Sequence, residues 1–103
     1  MSTPFSEHQL DFLYWHAVSK MRISLFKDAG ILFRLIAAAD PKRKDALLGR
    51  IYCLVREGEL QDANDLLSQV DVKALGPIEA ELVVRLKRRC QFELNAGEQA
   101  KAA

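Results

Sequence analysis

Apolar residues recur along this chain at three- and four-residue steps, the spacing of one face of a helix. Leu10, Leu13, Tyr14, Ala17, Val18 and Met21 form the first such stripe and predict an amphipathic helix reaching about residue 23. Ser6 and Gln9 open it with the spacing of a capping box, and Phe5 and Leu10 flank them as a hydrophobic staple. A second run, Phe26 to about Ala39, carries Ala29, Leu32, Phe33 and Ile36 on one face. Asp40-Pro41 should end it, because the residue before a proline avoids helical angles, and Pro41 suits the first turn of the next helix. Three more runs follow at about residues 45–57, 60–70 and 78–96. Gly58 stops the first of these, a loop through Gly76-Pro77 follows the second, and Gly97 stops the third, ahead of a short alanine-rich tail. No window sustains the period-two alternation of a strand, so the pattern predicts an all-α chain.

A length of 103 residues fits one small domain, residues 1–103. With 50% hydrophobic and 28% charged residues, the composition is that of a globular chain rather than a disordered one. Fifteen Lys and Arg against fourteen Asp and Glu leave a net charge of +1, which argues against attachment to nucleic acid by bulk electrostatics. No apolar run approaches the roughly 20 residues of a membrane span. The first eight residues lack the basic start and apolar core of a secretory leader, so a cytoplasmic location is expected.

The catalytic inventory is thin. Cys53 and Cys90 are too few for a disulfide scaffold or a zinc site and are expected as buried, reduced thiols. His8 and His16 stand in no recognised pattern with a cysteine or carboxylate. His16 lies in the apolar stretch that follows Phe12, where a packed or half-exposed imidazole is expected rather than a general base. The five glycines are scattered and build no phosphate-binding loop. No catalytic residue, metal or cofactor is expected, and the chain reads as a non-enzyme.

A shift of 34 residues lays Asp28-Ala29 on Asp62-Ala63 and Leu32-Phe33 on Leu66-Leu67. That period is the tetratricopeptide repeat's, a helix–turn–helix unit that buries its apolar face only by stacking on a neighbour. The chain therefore resembles a tetratricopeptide-like helical array of about two and a half repeats; a plain five-helix bundle is the alternative. Ala17, Ala29 and Ala63 fall where paired helices cross closely, and Phe33 and Leu67 fill the gap to the next unit. Gly97 and Ala102 repeat the five-residue spacing of Gly58 and Ala63 and suggest a third, incomplete unit. Leu13 replaces the usual first-helix tryptophan, with Trp15 two places late, and Lys20 stands where an aromatic is common.

In such an array the first helix of each pair lines the concave side. The repeat phase puts Tyr14, Val18 and Met21 there from one unit and Leu48, Tyr52 and Val55 from the next, with Val84 and Leu94 as candidates from the fifth helix. Apolar side chains in an open groove imply a partner segment, unless the fifth helix folds across them. Lys, Arg and Asn are missing from these positions, so a hydrophobic helix or extended segment fits better than an acidic tail.

The residues Phe12 to Ala29, with Leu32-Phe33, Pro41, Arg50, Gly58 and Ala63, resemble the small tetratricopeptide-like chaperones of bacterial type III secretion. The likeness is to the YscY type, whose N-terminal Gln-x-x-Phe-Leu reads here as Gln9-Leu-Asp-Phe12-Leu13, and it spans about residues 6–67. It implies a cytoplasmic chaperone or adaptor in protein transport and virulence. Such a protein binds an export-apparatus or needle protein as a heterodimer or larger complex; a homodimer is also open. Chaperones of the YscG type and those of translocators share the expected fold, and a generic interaction scaffold is the broader alternative.

A nucleic-acid reading has one foothold, the run Arg85-Leu-Lys87-Arg88-Arg89, helped by Lys42-Arg43-Lys44. On a helix Arg85, Arg88 and Arg89 could track phosphates. Glu81 and Glu93, each four residues from an arginine, are spaced instead for surface ion pairs, and the same face could meet an acidic partner.

Overall fold

The computed structural model describes residues 5–102, with side chains through residue 97. Residues 1–4, read above for a leader, lie outside them, as does Ala103. Five α-helices follow one another: α1 Glu7–Arg22, α2 Phe26–Ala39, α3 Lys44–Arg56, α4 Leu60–Ser68 and α5 Pro77–Ala102. A 3-10 turn, Val72–Ala74, precedes α5, and the described residues contain no strand. The all-α helical array predicted by the periodicity is the one observed. The chain divides into two units, Met1–Glu57 and Gly58–Ala103.

The 34-residue period is a period of local geometry as well as of letters. α1 ends at Arg22 and α3 at Arg56; α2 starts at Phe26 and α4 at Leu60. Between them Ser24 and Gly58 both take the left-handed conformation, at φ 63° and 80°. The residues entering the second helices, Leu25 and Glu59, share nearly the same angles, φ −86° ψ 65° and φ −82° ψ 64°. One turn is thus made twice, with glycine in the second copy and serine, which bears a Cβ that disfavours this conformation, in the first.

Within the first unit, Leu10, Ala17, Ala29, Phe33, Ile36, Ala46 and Cys53 form the core. Three of the seven are alanines, each fully buried, so α1, α2 and α3 approach where no side chain extends past Cβ. Gly49 extends this logic: a Cβ there would lie 2.7 Å from the ring of the buried Phe33. The capping box forms as expected. The Ser6 amide donates to Gln9 Oε1 at 2.8 Å and the Gln9 amide to Ser6 Oγ at 3.2 Å, while Phe5 packs on the cluster that includes Leu10.

Arg43 ties the start of α3 to α1. Its Nη1 donates to Asp11 Oδ1 at 2.8 Å, its Nη2 to Asp45 Oδ2 at 3.2 Å, and its guanidinium lies 5.6 Å from the Tyr14 ring centre. In the second unit α4 packs on α5, and Ala63, Leu67, Val83, Leu86 and Cys90 are buried.

Two boundaries differ from expectation. Pro41 does not begin α3, which starts at Lys44. Asp40 holds the turn, its carboxylate accepting from the Lys42 amide and its carbonyl from the Arg43 amide. Gly97 does not stop α5, which continues to Ala102. A glycine ends a helix when it turns left-handed, and only Gly58 among the described glycines does so. The helix formers after Gly97 offset its cost of about 1 kcal/mol. The third, incomplete unit suggested by Gly97 and Ala102 therefore lacks its turn, because α5 is a single long helix through Gly97.

Replacing Ser24 by glycine should raise the unfolding free energy by about 1 kcal/mol, and Gly58→Ala should lower it by about as much, in urea titrations followed by circular dichroism. Gly49→Ala should cost about 1–3 kcal/mol despite alanine's better helix propensity, because the new Cβ would clash with the ring of the buried Phe33.

Candidate functional site

α1 carries two apolar stripes. Leu10, Tyr14, Ala17 and Met21 turn inward, and Tyr14, Val18 and Met21 pack half-buried on the core. On the opposite side Phe12 and Trp15 stand in solvent, 71% and 65% exposed, with Ile23 exposed beyond the helix end. The exposed His16 ring stacks parallel to Phe12 at 6.4 Å between centres. Phe5, His8, Gln9, Phe12 and Leu13 line a shallow pocket of about 340 Å³ at the start of the same face. α1 thus exposes two large aromatic side chains, Phe12 and Trp15, on its outer side.

The six groove residues expected from the repeat phase all lie in the first unit. Tyr14, Val18, Met21 and Tyr52 are half-buried, while Leu48 and Val55 are only 6% and 3% exposed. A partner would reach the first four along their edges, and the last two are core residues. Tyr14 packs edge-on against Phe33 at 5.8 Å, and Tyr52 edge-on against Phe26 at 6.1 Å. Arg56 lies over that same Phe26 ring at 4.9 Å. Burial above all raises the Tyr14 phenol from its ordinary value, the Asp45 charge adds to this, and Arg43 opposes it. Of the two candidates from the fifth helix, Val84 is exposed and Leu94 half-buried.

Phe12 and Trp15 were the residues that the repeat phase passed over. Their signal lay in the sequence nonetheless: they sit about half a helical turn away from the Leu10–Ala17–Met21 stripe, where a surface helix is ordinarily polar.

The described residues hold no group of three His, Cys, Asp or Glu placed to bind a metal ion, and no helix long and apolar enough to cross a membrane. Both cysteines are free and buried. Burial, with the Glu57 charge, pushes the Cys53 thiol up to about 11, and burial also raises Cys90, so neither is primed as a nucleophile. The basic run of α5 is partly neutralised as its spacing implied. Arg85 pairs with Glu81 at 2.8 Å and Arg89 with Glu93 at 3.2 Å.

Comparison with known protein families, with characterised proteins and with solved structures returns no significant match to this chain.

Because the folded Cys53 thiol titrates above its unfolded counterpart, the stability it contributes is complete below about pH 9 and is lost as the pH rises through about 11. Cys53→Ala should flatten that alkaline fall in stability. Both thiols should react with Ellman's reagent at pH 8 only at the rate of unfolding.

Proposed function

We propose that this chain is a helical-repeat binding module that covers an apolar helical or extended segment of a partner protein. Its reading in full is a cytoplasmic chaperone or adaptor of a bacterial type III secretion system. The observation that carries the proposal is the pair Phe12 and Trp15, held in water on a helix whose inner face is already satisfied by its own core. Two large aromatic side chains left exposed on one helix are costly for a monomer and fit a docking face. Covering two large aromatic side chains supplies about 1.5–3 kcal/mol each, enough to anchor a helix laid along α1. The repeated turn at Ser24 and Gly58 supports the repeat reading, and the resemblance of residues 6–67 supplies the secretion context.

The nucleic-acid alternative loses support from the two ion pairs on α5, which leave few cations for phosphates.

The test is co-expression of the tagged chain with the needle and export-apparatus proteins of a type III secretion system from its host. Phe12→Glu and Trp15→Glu should each weaken capture by about tenfold or more with helicity unchanged, and Trp15, the single tryptophan, should shift its fluorescence to the blue in the complex. Tyr52→Glu reports separately on the half-buried positions Tyr14, Val18, Met21 and Tyr52 expected from the repeat phase, and should weaken capture if the partner reaches them. Capture unaffected by Phe12→Glu and Trp15→Glu would overturn the α1 face as the binding surface.

A further inference from the structure

Within Gly58–Ala103, α4 and α5 border a cleft of about 400 Å³ lined by Asn64, Ser68, Lys87, Arg88 and Gln91. The pattern is built from two helical stripes: positions four apart on α4 face positions 87, 88 and 91 of α5. Every lining residue is polar, and none is a carboxylate.

The four cations of the run 85–89 on α5 divide sharply. Arg85 and Arg89 are taken by Glu81 and Glu93. Lys87 and Arg88 form no ion pair among the described residues, and both open onto the cleft. The Asn64 side chain also makes no hydrogen bond among the described residues. Gln91 donates through Nε2 to Asn95 Oδ1 at 3.1 Å, which leaves its own carbonyl oxygen free to accept. Ser68 donates its hydroxyl to the Asp65 carbonyl at 2.6 Å and keeps its lone pairs.

The cleft therefore combines two adjacent uncompensated positive charges with amide and hydroxyl acceptors. A bare oxyanion would use the charges and the amide N–H donors but would leave the acceptors unmet. An acidic peptide uses both, its carboxylates meeting Lys87 and Arg88 and its backbone N–H groups meeting Gln91, Asn64 or Ser68. A nucleic-acid strand fits poorly, because phosphates running along α5 would meet Glu81 and Glu93 within about 18 Å of helix. We propose that the α4–α5 cleft binds a short acidic segment of a partner protein, with Lys87 and Arg88 as its charge contacts. The site is distinct from the aromatic face of α1, and it rests on the protein-binding reading only for the partner's identity.

The experiment is a titration of the full, ¹⁵N-labelled chain with an acetylated and amidated tetraglutamate peptide, following the side-chain NH₂ resonances of Asn64 and Gln91. Tetraglutamine, inorganic phosphate and oligothymidylate serve as the other arms. Saturable shifts with tetraglutamate are expected, weakened about tenfold in a Lys87→Gln/Arg88→Gln double variant and changed less than about twofold in Arg85→Gln. Absence of a saturable shift, equal binding by the double variant, or tighter binding of phosphate or oligothymidylate than of tetraglutamate would each overturn the proposal. Neither substitution touches α1, so loss of the aromatic docking site and loss of this one are read independently.

Discussion

The first unit depends on how closely its helices can approach. Ala17, Ala29 and Ala46 are fully buried at the meeting of α1, α2 and α3, and Gly49 lies beneath the Phe33 ring with no room for another carbon. Small residues at a crossing bring backbones together, and the surrounding larger side chains then interlock. Phe33 and Ile36 fill the volume that the alanines leave, and the half-buried Tyr14, Val18 and Met21 close the edge of the core. A larger residue at any of these crossings would force the helices apart and open the whole cluster.

That close approach also decides what remains outside. Once the Leu10–Ala17–Met21 stripe is packed, α1 has no second helix within its unit to cover Phe12 and Trp15. Hydrophobic burial is non-directional and would favour hiding these rings wherever possible. Their persistence in solvent reflects a helix amphipathic on one side and aromatic on the other. This is the physical basis for reading α1 as a docking element, and it requires no catalytic chemistry from the buried thiols or the exposed imidazoles.

Charge is used in two different ways. Arg43, mostly shielded from water, is shared between Asp11 and Asp45 and lies over Tyr14, so its charge is spent inside the fold. The pairs Arg85–Glu81 and Arg89–Glu93 are exposed and contribute little to stability. Their consequence is subtractive: they cancel the outer cations of α5 and isolate Lys87 and Arg88 beside the cleft. A run of basic letters thereby becomes a local feature rather than an extended basic face.

Much of the architecture was legible in the letters. Period 3.6 placed the helices, Ser6 and Gln9 marked the first start, and the 34-residue shift set matching letters on segments whose preceding turns, at Ser24 and Gly58, are both left-handed. These are local or nearest-neighbour properties, set by sterics and capping, which a linear reading captures. Gly97 was misread because a glycine stops a helix only when the chain turns there, and nothing in the letters distinguishes a glycine that turns from one that is carried through. How far each groove candidate is buried belonged to tertiary structure. Tyr14 and Leu48 occupy equivalent repeat positions, yet one is half-buried and the other buried, because exposure depends on which neighbours arrive and not on phase along a helix. The same holds for Lys87 and Arg88: adjacency in sequence put four cations within residues 85–89, while ion pairing and the packing of α4 on α5 determined which two stand unpaired, among the described residues, beside the cleft.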